Sequence, residues 1–214
     1  MAAYDLQEQE QLSAMKDWWE KNGNRITGLM FAIVLVLLGW MGWNRYQQSQ
    51  ASQASVLFGS LVQALDNKDT AAAHQLAGKL QSDFDGTMQA NLGALLIAKT
   101  SIDANDIKSA QPQLEHVVAV AKDPLMRDVA RLRLAAVLLD EKSYDQALKV
   151  LEATPHESFA ARFADLRGDI LYAKGSTADA ISAYKEALDL LNKTSGPASP
   201  LKSVVETKLE ALGG

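Results

Sequence analysis

The chain has 214 residues, with 21 basic and 26 acidic side chains, three histidines and no cysteine. A net charge of −5 without a basic cluster argues against a nucleic-acid partner. The absence of cysteine excludes disulfides and a lipidated cysteine, so a domain outside the cytoplasm must be stable from packing alone.

Residues 1–25 are polar and acidic, with Lys16, Lys21 and Arg25 as the only basic residues. Residues 26–44 then contain no charge at all. At ~1.5 Å per residue this run spans about 28 Å, close to the ~30 Å hydrocarbon core of a bilayer. Its Leu, Ile, Val and Phe side chains favour insertion by about 3 to 5 kcal/mol in total. The apolar character runs all round the helix, unlike the one-sided stripe of a soluble surface helix. Trp18 and Trp19 precede the run, and Trp40, Trp43 and Tyr46 close it, as aromatic belts do at membrane interfaces. A cleaved signal peptide would have a shorter apolar region, a basic start and a small-residue cleavage site. The sequence therefore predicts a transmembrane anchor in contact with lipid over 26–44. Three basic residues precede it, while Arg45 is the one basic residue in the first twenty after Trp43. The positive-inside rule then places 1–25 in the cytoplasm and 45–214 outside it.

The remaining segment is rich in Ala and Leu at helical spacing, so the expected fold class is all-α. Its clearest unit is ADLRGDILYAKGSTADAISAYKEALDL, with Gly168, Gly175, Ala180, Tyr184 and Ala187 at the small and large positions of a tetratricopeptide-like helical hairpin. A small residue where the two helices cross allows close approach, and a large neighbour fills the remaining space. Leu134-Ala135, Tyr144, Ala147 and Leu151 repeat this pattern. Leu92-Gly93 with Leu96 begins an earlier unit, continued by Ala110, Leu114 and Val117 after a long turn. Phe58-Gly59 with Val62 and Ala71 suggests the first. Four hairpins are expected over roughly 48–82, 86–121, 124–153 and 157–191. A capping helix follows, starting at Ser199-Pro200. The whole is a single N-terminal transmembrane helix followed by a helical-hairpin solenoid.

No catalytic constellation is visible. His74, His116 and His156 are isolated in sequence, there is no Gly-rich loop or nucleophile elbow, and no metal or cofactor is expected. Arg127, Arg131 and Arg133 cluster on one helix, with Asp128 and Asp140 available to neutralise them. Repeat stacks bind partners along an inner face lined by the first helix of each hairpin. In the register above that face includes Ala90, Ala94 and Ile97, then Leu132, Ala136 and Leu139, then Asp165, Asp169 and Tyr172. Ala94, Ile97, Leu132, Ala136, Leu139, Asp169 and Tyr172 are the candidate partner-binding residues.

The acidic, glutamine-rich start, the segment holding Gln11-Leu12, Lys16, Trp18-Trp19 and Asn22-Gly23, the single span and Leu166-Arg167-Gly168 together resemble the YfgM family of bacterial inner-membrane proteins. That resemblance covers the whole chain. It implies a non-catalytic, single-pass adaptor of the SecYEG translocon, with the repeat domain in the periplasm. It also implies transfer of exported polypeptides to periplasmic chaperones such as PpiD, and a link to an envelope stress response. A structural scaffold for cell division or outer-membrane assembly is the competing reading, because residue patterns alone reach only an anchored helical-repeat binding module.

Overall fold

The computed structural model describes residues 2–194 and 200–213, with side chains placed for 11–193 and 200–213. The chain divides into two units, Met1–Gln50 and Ala51–Gly214. Every regular element in the described residues is helical: α1 (Ala2–Asp66), α2 (Thr70–Asp83), α3 (Met88–Asp103), α4 (Ile107–Val120), α5 (Pro124–Asp140), α6 (Tyr144–Val150), α7 (Glu157–Ala173), α8 (Thr177–Thr194) and α9 (Pro200–Ala211). The described residues of the first unit all belong to α1. In it the large side chains from Leu29 to Leu38 are all exposed, with Phe31 at 65 % and Val36 at 71 %. This is the one helix among the described residues long and apolar enough to cross a membrane.

The second unit begins with the last turns of α1, which pair with α2. The pairs α3–α4, α5–α6 and α7–α8 follow, and α9 packs on α8. The expected start of the capping helix at Ser199 lies outside the described residues, and α9 runs from Pro200. Side-chain acceptors set the helix starts: Asp69 takes the Ala72 N–H at 3.0 Å, Thr87 takes that of Ala90 at 3.2 Å, and Asp106 takes that of Ser109 at 3.2 Å.

The turn inside each hairpin is the same structure four times. Lys68, Asn105, Lys142 and Gly175 have φ of 58°, 58°, 62° and 90°. In each turn the N–H of this left-handed residue reaches the carbonyl three residues back, and the next N–H reaches the carbonyl five back. In the last turn these are Gly175 to Tyr172 at 2.9 Å and Ser176 to Leu171 at 2.9 Å. This Schellman arrangement satisfies the final carbonyls of the helix while reversing the chain. The turns set a true repeat of 37, 37 and 33 residues.

That frame fixes the crossing of the two helices in each hairpin. Seven residues before the left-handed residue stand Leu61, Ala98, Ala135 and Gly168; nine after it stand Ala77, Leu114, Leu151 and Tyr184. All eight are buried. In the last three hairpins the small residue lies on the first helix and the large one on the second. The first hairpin reverses them. Three sequence expectations are corrected here. Gly59 faces open space, and Ala71 is exposed, so neither marks the crossing of the first hairpin. Gly93 is a packing glycine, but a Cβ there would stand 3.1 Å from Leu80 and 3.4 Å from Leu61. It seats α3 against the preceding hairpin rather than against α4.

The core forms three clusters along the stack. Leu61, Leu80 and Ile97 centre the first, while Leu114, Leu138 and Phe163 belong to the second. Tyr184, Leu191 and Val205 join α9 to the last hairpin in the third. Residues at each junction are shared by neighbouring hairpins, so each unit buries its apolar face only through the next.

Candidate partner-binding surface

The seven expected surface residues separate by hairpin. Ala94 and Ile97 are both fully buried, Ala94 in the central cluster and Ile97 in the first. They are core, not surface. The error follows from treating Gly93 as the crossing residue, when the turn frame gives that role to Ala98. Ala90 is core for the same reason, at 1 % exposed. Leu132 and Leu139 are partly buried against the central cluster, and Ala136 is partly buried. Asp169 and Tyr172 are brought together near α9.

Around Asp169 the structure builds a charged junction. Lys208 of α9 donates to Asp165 Oδ1 at 2.7 Å and to Asp169 Oδ2 at 2.8 Å. The Tyr184 hydroxyl donates to Asp169 Oδ1 at 2.8 Å, and the Lys208 ammonium lies 5.5 Å from the centre of the Tyr184 ring. Burial raises the Asp165 carboxyl above its ordinary range, although the Lys208 ammonium pulls it down. Burial also works to lower Lys208, but the two carboxylates outweigh it and the net shift is upward. The Tyr184 hydroxyl is raised by burial first and by its bond to Asp169 second. Asp169, Tyr172, Tyr184, Lys208 and Leu212 line a cavity of about 220 Å³ here. Its carboxylates are thus matched from within the chain.

A larger cleft, of about 320 Å³, opens between α3 and α5. From α3 it is lined by Leu92, Leu95, Leu96 and Lys99, at spacings of 3, 4 and 7 from the first. From α5 come Leu125, Met126, Val129 and Arg133, again along one stripe. Leu92 is 37 % exposed and Leu125 41 %, so both walls present apolar surface to water. Lys99 pairs with Asp103 at 2.6 Å, but both partners are about three-fifths exposed and the pair is worth little. An Arg133 Nη reaches the Leu95 carbonyl at 3.4 Å. Asp123 accepts the Leu125 N–H at 2.9 Å as the cap of α5.

The sequence reading missed this cleft, although a signal was present. Once Ala94, Ile97 and Ala98 are assigned to the core, Leu92, Leu96 and Lys99 remain as a second stripe on α3, in which Leu92 and Lys99 are exposed and Leu96 is partly buried against the first cluster. In the turn frame Leu95 and Lys99 occupy the positions of Asp165 and Asp169, each ten or six residues before its left-handed residue. The two openings therefore use equivalent positions of their first helices, one with Lys99, Arg133 and Asp123 in its lining and the other with Asp169 paired to Lys208 of α9.

The remaining candidates are structural. Asp128 is 1 % exposed and accepts the His156 N–H at 2.8 Å and an Arg131 Nη at 3.1 Å. It ties the loop before α7 to α5 and engages one member of the arginine cluster. His116 Nε2 meets Asp85 Oδ1 at 3.0 Å, a pairing between α4 and the α2–α3 connection that sequence spacing does not reveal.

Comparison with known proteins matches residues 16–214 to a family described as a tetratricopeptide repeat-like domain. A protein of Neisseria gonorrhoeae is 30 % identical over 99 % of this chain and 100 % of its own. One of Haemophilus influenzae is 30 % identical over 86 % and 90 %, and one of Escherichia coli is 32 % identical over 83 % and 85 %. All three are named as ancillary SecYEG translocon subunits. This chain belongs to the YfgM family. A solved structure, the MamA RS-1 ArsTM double mutant, aligns with this YfgM-family chain at a TM-score of 0.52 and 19 % identity, covering 75 % of this chain and 94 % of the other. That likeness supports the helical-repeat fold alone. The family match begins at Lys16, so both the apolar run 26–44 and the α3–α5 cleft lie inside it.

Proposed function

We propose that this chain is a non-catalytic, single-pass adaptor of the SecYEG translocon in the bacterial inner membrane. Residues 26–44 anchor it in lipid, 1–25 lie in the cytoplasm, and 45–214 form a periplasmic repeat domain. That domain receives exported polypeptides beside the translocon and passes them to membrane-anchored or periplasmic chaperones such as PpiD. Modulation of an envelope stress response would follow from this traffic.

The observation that carries the reading is the end-to-end match to relatives named as translocon subunits. Two structural features support it. Exposed apolar side chains from Leu29 to Leu38 would each forfeit about 1.5–3 kcal/mol in water compared with an apolar surrounding, so the first unit calls for lipid. The repeat unit presents an open apolar cleft of a size suited to a peptide segment. Tethering makes a second contact effectively intramolecular, so weak cleft binding suffices near the translocon.

Affinity capture of the full chain in mild detergent tests the reading. Co-purifying SecYEG and PpiD subunits are the expected result; cell-division or barrel-assembly subunits without SecYEG would replace it with the scaffold reading. A phosphatase reporter fused after Gly214 should be active, and one fused within residues 1–20 inactive. The reverse pattern would overturn the orientation.

A further inference from the structure

We infer that the α3–α5 cleft selects amphipathic segments whose apolar side chains are flanked by Asp or Glu, and discriminates against those flanked by Lys or Arg. This rests on the adaptor reading and names the chemistry of what the repeat domain accepts. The floor and walls are apolar: Leu92, Leu96, Leu125, Met126 and Val129. The polar groups lining the cleft are two cations, Lys99 and Arg133, and one carboxylate, Asp123.

Those three charges are not equivalent. Asp123 already accepts the Leu125 N–H, and that bond starts α5. The Lys99 partner, Asp103, is as exposed as Lys99 itself, so an incoming carboxylate can replace it at little cost. Arg133 has five N–H donors, and its bond to the Leu95 carbonyl is long at 3.4 Å. A carboxylate at the cleft would meet charge-assisted donors, while an ammonium or guanidinium would meet like charge.

The corresponding groove between α7 and α9 shows the contrast. There Asp165 and Asp169 face Lys208, each within 2.8 Å, so the charge is neutralised inside the chain. At the equivalent positions α3 carries Leu95 and Lys99, and no buried acid answers them. Apolar surface supplies the attraction, and the cations at the cleft decide which segments fit.

The test uses the full chain in nanodiscs of zwitterionic lipid and two short fluorescent peptides. Both carry leucines at i, i+4 and i+7; one has glutamates at the flanking positions and the other lysines. The acidic peptide should bind about five- to tenfold more tightly, from two partly exposed ion pairs. The difference should shrink as salt rises. The double variant Lys99→Gln, Arg133→Gln should remove the preference, and Lys99→Glu, Arg133→Glu should reverse it, with the thermal midpoint reporting that the fold is kept. Leu125→Ala should weaken both peptides equally. Equal affinity for the two peptides, or a preference that survives charge reversal, overturns the inference. If equal peptide affinities accompany capture of SecYEG, only the selectivity fails. If SecYEG is not captured but the preference holds, the adaptor reading fails alone.

Discussion

Gly168 is where a single added carbon should do the most damage. A Cβ built there would lie 2.6 Å from Cδ1 and 2.9 Å from Cζ of Tyr184, well inside van der Waals contact. Tyr184 cannot swing aside freely: it is 2 % exposed, its hydroxyl is bonded to Asp169, and the Lys208 ammonium approaches its ring. Gly168→Ala therefore forces either the ring or α8 to shift. Overpacking of this kind costs about 1–3 kcal/mol, and losing the Tyr184 hydrogen bond adds roughly 1. Replacing glycine within a helix returns about 1 kcal/mol of propensity. The net loss is about 1–3 kcal/mol, or a fall in midpoint of about 2–12 °C for a domain of this size.

Circular dichroism of the full chain in detergent should show that fall. Gly59→Ala provides the control. Gly59 is also within a helix, but its Cβ would meet nothing within 4 Å, so this variant should gain up to about 1 kcal/mol. The double variant Gly168→Ala, Tyr184→Ala should lose at least about 1 kcal/mol less than the sum of the single losses, because the new methyl then enters vacated space. If Gly168→Ala matched Gly59→Ala, or if the double variant were strictly additive, the close crossing of α7 and α8 would be refuted.

The first hairpin should tolerate a size exchange that the others would not. Leu61→Ala alone should cost about 2–5 kcal/mol by leaving a cavity, and adding Ala77→Leu should recover part of it by restoring the arrangement of Ala98 and Leu114. Urea midpoints of the full chain measure both. Lys142→Gly should stabilise by about 0.5–1 kcal/mol, since Lys142 holds φ 62° in an exposed turn where glycine bears no side-chain penalty; a lower urea midpoint would contradict the turn geometry. The junction at α9 should weaken in alkali. Tyr184 and Lys208 both hold their protons more tightly when folded, so their contribution is complete below their ordinary values of 10.0 and 10.5 and is lost as pH rises through the raised folded values. Unfolding midpoints should therefore drop more steeply above about pH 10 in the parent than in Tyr184→Phe, and identical slopes would refute the linkage.

What the sequence disclosed and what it hid have a common cause. The all-α repeat fold and the apolar helix were legible because each rests on many residues acting in the same direction. The last hairpin was legible because its turn and its crossing both use glycine, at Gly175 and Gly168, where backbone geometry leaves few other choices. The other three turns place Lys68, Asn105 and Lys142 in the same left-handed conformation, so the expected punctuation is absent from the sequence. At the first crossing Leu61 and Ala77 exchange the large and small roles, and a search for a small residue on the first helix settles instead on Gly59. Gly93 is required by packing, but by contact with the hairpin before it. Sequence spacing registers a need for close approach without naming the neighbour, and this displaced Ala94 and Ile97 from core to surface.

That displacement bears on how a repeat stack divides stability from recognition. With the turns as reference, Asp169, Ala136 and Lys99 are one position in three successive hairpins, six residues before each left-handed turn residue. The position sits on the groove side of the first helix, next to the crossing pair rather than in it, although in the last hairpin Asp169 also accepts the Tyr184 hydroxyl. In the last hairpin it is an acid held by Lys208 of the capping helix. In the second it is a lysine beside exposed leucines, and the groove stays open. The same scaffold position thus serves an internal charge network at the capped end and a cation exposed to solvent in the second hairpin. The crossing pairs cannot vary in that way, because they hold the two helices of each hairpin together. In the second hairpin, where Lys99 is exposed and paired with an equally exposed Asp103, a substitution should alter what binds and leave the crossing intact.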